Sequence, residues 1–105
     1  MIKKIRVGAT TYKVRKKKLG SIWGYTDFEE EKIFIDSRAK DRQQVSTLLH
    51  EALHAMIAEY GINYTLDHNQ DESLVRTLES GIVQLILRNK EFTEELVASL
   101  EYDEC

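Results

Sequence analysis

Apolar and polar residues alternate through the first third of the chain and then give way to helical spacing. Ile2 to Val7 alternates imperfectly up to Gly8, and Thr10-Thr11-Tyr12-Lys13-Val14 is rich in β-formers, which predicts an opening hairpin. Lys16-Lys17-Lys18 breaks the pattern, and Gly20 marks a turn. A second hairpin is predicted from Ile22 to Phe28, across the acidic turn Glu29-Glu30-Glu31, and back through Lys32-Ile33-Phe34-Ile35-Asp36. Within it Gly24 marks a bulge or a close approach of another backbone. Trp23, Tyr25, Phe28 and Phe34 are expected mostly in the sheet core.

From Asp41 the period changes to that of a helix. Asp41 and Gln44 resemble a capping box, a helix is expected from about Gln43 to Tyr60, and Gly61 stops it. Its apolar stripe runs through Val45, Leu48, Leu49, Ala52, Leu53, Met56 and Tyr60. A polar loop, Asn63 to Asp71, leads to a second helix starting near Glu72, with Leu74, Val75, Leu78, Ile82, Leu85 and Ile86 on one face. Thr93 is expected to cap a short terminal helix, with Glu94 and Glu95 in its positive first turn. The expected fold class is α+β: a small antiparallel sheet of N-terminal hairpins, then an active helix and a second packing helix, a minimal zincin-like arrangement.

With 105 residues, the chain is expected to form one domain, 1–105. It is 42% hydrophobic and 31% charged, and no apolar run approaches the roughly 18 residues of a membrane span. The start lacks the apolar segment of a signal peptide, so a cytoplasmic protein with no membrane partner is expected. The only cysteine is Cys105, which excludes an intrachain disulfide and a thiolate metal cluster. Any zinc site must therefore use histidine and carboxylate. Net charge is −3, yet residues 1 to 20 carry eight Lys or Arg and no acid, leaving −11 for the rest. Only Tyr12 interrupts this basic run, whereas nucleic-acid recognition usually adds interleaved aromatics. The run is read as a solvated strand face, and a nucleic-acid partner is not expected.

The candidate chemistry lies in Thr47-Leu48-Leu49-His50-Glu51-Ala52-Leu53-His54-Ala55-Met56, which contains the pattern HExxH. Two histidines four apart on a helix stand one turn above each other, their Cβ atoms roughly 5 to 6 Å apart, so both imidazoles can reach one Zn²⁺. The intervening Glu51 then serves as general base toward a metal-activated water. His50 and His54 fall well round from the centre of the apolar stripe, beside the small residues Ser46, Thr47 and Ala58, where a second element can close over them.

A catalytic zinc site normally has three protein ligands and one open position. The candidates for the third are His68, Asp71, Glu72 and Glu79. Glu72 and Glu79 are two turns and about 10 Å apart along one side of their helix, so they cannot share an ion. Position in the first turn favours Glu72 modestly, against a competing capping box with Asn69. The order of short strands, the helix carrying TLLHEALHAMI and the downstream ESLVRTLESGIVQLI resemble small bacterial and phage zinc metallopeptidases of the ImmA/IrrE type. In that group a glutamate opening the next helix is the third ligand, a gluzincin-like pattern. The resemblance implies His50, His54 and Glu72 as ligands and Glu51 as general base. This chain has Arg76 where larger members often carry an Asn, and a separate DNA-binding domain like theirs is not expected.

The expected function is zinc-dependent hydrolysis of peptide bonds in a peptide or protein substrate. An edge strand, Ile22 to Phe28, is expected to align the peptide by strand addition, and Tyr64, His68 or Arg76 to stabilise the oxyanion. The alternative is a non-catalytic, zinc-stabilised binding or regulatory module of phage or bacterial origin, and a third reading, ranked below it, is a nucleic-acid accessory protein using the basic hairpins.

Overall fold

The computed structural model describes residues 2–61 and 65–102. Four strands, β1 (Lys4–Val7), β2 (Thr10–Lys17), β3 (Gly24–Asp27) and β4 (Lys32–Asp36), precede three helices, α1 (Asp41–Glu59), α2 (His68–Arg88) and α3 (Lys90–Tyr102). The fold is α+β, as expected. Both hairpins are antiparallel, β1 with β2 and β3 with β4, but β2 and β4 pair in parallel, so the sheet is mixed, with order β1-β2-β4-β3. The chain crosses from β2 past the position of β4 before returning, which leaves β3 on an edge.

Alternation decides which face is buried. Tyr12, Val14, Ile33 and Ile35 are almost fully buried and pack with Leu48 and Ala55 of α1. A fully buried Val or Ile contributes roughly 1.5–3 kcal/mol, so this layer fixes α1 firmly on the sheet. A second cluster joins α1 to α2 through Leu53, Ile57 and Val75, with Leu49, Leu66, Leu74 and Ile82 around them. α1 thus has two apolar faces. The single stripe read from the sequence straddles the gap between them, leaving Val45, Met56 and Tyr60 exposed while Ala55 and Ile57 are buried.

Other expectations are corrected by the same packing. Trp23 and Phe28 are exposed rather than core, while Tyr25 and Phe34 are half-buried and stack on each other with centroids 4.9 Å apart. Along α2 the buried stretch centres on Val75; Leu78, Leu85 and Ile86 remain exposed, because its C-terminal half makes little of the contact with α1. Lys40 is the N-cap of α1 without a side-chain bond; Asp41 lies in the first turn and Gln44 donates instead to the Ala39 carbonyl. Gly61, at φ +78°, ends α1 with its N–H bonded to the Ala58 carbonyl, as a left-handed stop should. α3 starts at Lys90, so Thr93 is inside the helix and donates to the Asn89 carbonyl rather than capping.

Gly24 is where another element approaches. A Cβ there would stand 2.6 Å from the Thr47 methyl of α1 and 2.7 Å from the Phe34 carbonyl oxygen. Only glycine lets β3 pass so close beneath α1, which brings Thr26, two residues on and on the same face, to Glu51. No helix among the described residues is long and apolar enough to cross a membrane.

Candidate metal centre

α1 supplies His50, Glu51 and His54, and α2 crosses it so that Glu72 faces both imidazoles. α2 starts earlier than the sequence suggests, at His68, with Asp67 and Gln70 forming a reciprocal capping box. That box satisfies the helix end, so Glu72 is not engaged by Asn69 and its carboxylate turns to the histidines. Glu72 Oε1 lies 2.9 Å from His50 Nε2, and Glu72 Oε2 lies 3.3 Å from His54 Nε2. One ligand atom from each of His50, His54 and Glu72 falls within 4.8 Å of the others.

The other ring nitrogens are held as well. His50 Nδ1 is 2.8 Å from Glu79 Oε2, and His54 Nδ1 is 2.8 Å from Asp71 Oδ1. With Nδ1–H donating to a carboxylate, each Nε2 presents its lone pair to Glu72, the tautomer and ring orientation a metal ligand requires. At these distances either a proton on Nε2 or a cation held between the rings and the carboxylate balances the charge of Glu72. Two imidazoles and one carboxylate so placed could hold a metal ion, and this donor set is of the kind that zinc accepts.

The charges agree with this fit. Burial pushes the His50 imidazolium pKa down, but the bond to Glu79 and the charges of Glu51, Glu72 and Glu79 outweigh it and leave the value raised. For Glu72, desolvation acts upward, yet His54, His50 and Arg76 together hold the carboxyl below its ordinary value. Both shifts describe imidazoles and carboxylates that stabilise each other's charged forms.

Glu51 is not part of the ligand triad. It is buried beside the triad, and its Oε1 accepts a 2.9 Å hydrogen bond from the Thr26 hydroxyl. Burial raises its pKa, offset in part by Thr26 and the two histidines. A carboxylate so desolvated is more basic than one in water, which suits a proton acceptor working near neutral pH.

These groups line a cleft of about 840 Å³ between β3 and the two helices, with Ile22, Trp23 and Phe28 along the strand side. A larger groove of about 1180 Å³ lies across α1, walled by Val45, Leu48, Leu49, Val83 and Leu87; it contains none of the histidines. Of the other candidates, His68 is exposed in the first turn of α2 and outside the triad, although it lines the cleft. Arg76 also lines the cleft and lies 3.5 Å from Glu72 Oε1. Tyr64 lies outside the described residues.

Asp71 and Glu79 entered the sequence analysis only as rival ligands, and the structure gives them the histidines' outer nitrogens instead. Their spacing did not reveal this: Asp71 and Glu79 lie about two turns apart on α2, while the histidines they hold are one turn apart on α1, so the pairing depends on how the helices cross. Thr26 left no linear signal, since its place beside Glu51 depends on the strand order. Compared with known proteins, the chain matches no family model, no curated protein and no solved structure, so what the site does must be argued from its side chains.

Proposed function

We propose that this chain is a zinc-dependent metallopeptidase, with His50, His54 and Glu72 as ligands and Glu51 as general base. The observation that carries this reading is the pair of Nε2 atoms facing one carboxylate, with both Nδ1 atoms tied to acids and a further buried carboxylate alongside. A zinc ion held by the triad supplies Lewis acidity. Glu51 takes a proton from the attacking water and returns it to the leaving amine, so that the C–N bond breaks into a new carboxylate and a new amine. Thr26 fixes the Glu51 carboxylate in place. β3 offers a free backbone edge beside the cleft, suited to an extended peptide, and His68 and Arg76 on the cleft wall are the described donors for the oxyanion. A zinc bound only for folding gives no reason for a buried carboxylate next to its ligands, which is why the catalytic reading is preferred over the binding module. The resemblance to the ImmA/IrrE type points the same way.

The zinc-loaded chain should cleave members of a mixed unfolded-peptide library, read by mass spectrometry as paired fragments whose masses sum to the parent plus one water. Cleavage should stop on chelation and return with added zinc. An unchanged library after prolonged incubation would count against hydrolysis, and products that persist under chelation would point to a contaminant.

A further inference from the structure

Away from α1, the sheet presents a second face of a different character. Residues alternating with the buried Tyr12 and Val14 are the exposed Lys13, Arg15 and Lys17 of β2; those alternating with Ile5 and Val7 are Lys4 and Arg6 of β1. Beside this basic band, Phe34 of β4 and Tyr25 of β3 stack on each other, and Trp23, just before β3, stands between this face and the metal cleft with Arg38 over its ring. The aromatics missing from the linear basic run are thus supplied by the neighbouring strands. Tyr12, the aromatic within the run, is turned inward and bonds Glu59 of α1.

We propose that this outer face binds single-stranded nucleic acid, with β1 and β2 taking phosphates and Trp23, Tyr25 and Phe34 stacking bases. Alternate residues of a strand are about 6.7 Å apart, so Lys13, Arg15 and Lys17 form an evenly spaced cationic row suited to a regularly charged backbone. Cations already stand at the rings: Lys17 Nζ is 5.1 Å from the Phe34 centroid and 5.9 Å from that of Tyr25, and the Arg38 guanidinium is 4.7 Å from Trp23. A base stacked there brings its phosphate next to a positive charge.

The acids on this side are engaged. Asp36 is fully buried and bonds Arg38 and the Leu19 N–H, while Asp27 accepts the Glu30 N–H. β1 and β2 themselves present Lys4, Arg6, Lys13, Arg15 and Lys17 on this side and no acid, so the band is positive on a chain of net charge −3. An acidic polypeptide would satisfy the charge without using the exposed ring surface; paired bases in a duplex could not stack on it. Unpaired bases use both features. This inference does not rest on the peptidase reading, although Trp23 and Tyr25 also border the metal cleft.

Trp23 is the only tryptophan and also lines the metal cleft, so its quenching is assigned to this face through the substitutions at Lys13, Arg15 and Lys17, which lie outside the cleft. The intact chain is titrated with oligothymidylate and oligouridylate of about 20 nucleotides, longer than the ~4–16 that comparable sheet folds cover. A duplex of similar length and polyglutamate serve as the other probes. Both single strands should quench Trp23, with affinity falling by a log–log slope of about −0.7 per phosphate contacted as salt rises. Comparing the two oligomers separates RNA from DNA preference. The double substitution Arg15→Gln with Lys17→Gln should weaken binding at least about tenfold, and Tyr25→Leu roughly 5- to 100-fold, as loss of base stacking predicts. Arg88→Gln with Lys90→Gln removes the same charge from the helices and should change affinity less than about twofold. Lys13→Gln, a single exposed change, repeats the charge test without relying on the double variant's fold. No quenching by either oligomer at low salt would overturn the proposal. So would equal losses from the helix pair, which would mean diffuse charge, or tighter binding of polyglutamate, which would make this a dock for acidic protein.

Discussion

Glu51→Gln is expected to keep its zinc and its fold while hydrolysing peptide at least about 10²- to 10⁴-fold more slowly than the native chain, the contribution of a positioned general base. The substitution preserves size and shape, and the amide oxygen can still accept the hydrogen bond that Thr26 now gives to Glu51 Oε1. What it removes is the ability to take a proton. Burial raises the Glu51 pKa, which moves its basicity toward the working pH and makes its loss more costly to the rate. Elemental analysis, thermal melting and turnover of one identified peptide separate these effects. Equal turnover by the variant would remove the hydrolytic mechanism and leave zinc as a structural element. Loss of zinc by the variant would instead make Glu51 a ligand.

The second large effect concerns the third ligand. Glu72→Ala should weaken zinc binding by well over the roughly 10- to 100-fold associated with outer carboxylates, because Glu72 faces both Nε2 atoms. Glu79→Ala and Asp71→Ala should each fall within that smaller range, since they touch only the Nδ1 side of one imidazole. His68→Ala should leave affinity unchanged. Competition with a chromogenic chelator gives all four values on one scale. Equal losses for Glu72 and Glu79 would show that the carboxylates share the ion or that their roles are reversed.

The parts of this architecture legible in the sequence are the local ones. HExxH needs only one helical turn to bring His50 and His54 together, and the structure stacks their rings edge to face with centroids 5.0 Å apart. The hairpins follow from short-range alternation, and Gly24 was readable as a close approach because a glycine inside a strand has few other uses. The parallel pairing of β2 with β4 was not readable, since it depends on a crossover between strands that are not consecutive. Thr26 meets Glu51 only because that crossover leaves β3 beneath α1. The aromatics misled for a related reason: β4 carries Ile33 and Ile35 on one face and Phe34 on the other, so period-2 counting could not say that Phe34 and its partner Tyr25 look away from the core. Asp71 and Glu79 were visible as acids near the site, but their roles depend on where α2 crosses α1, which no spacing within α2 fixes.

The central claim is that His50, His54 and Glu72 hold one zinc whose remaining position is open. A crystal structure of the zinc-loaded chain tests it most directly. The expected result is a single ion about 2.0–2.1 Å from both Nε2 atoms and about 2.0–2.2 Å from a Glu72 oxygen, with solvent in the fourth position and Glu51 outside the coordination sphere. A fourth protein ligand closing the site, or zinc bound away from Glu72, would contradict it.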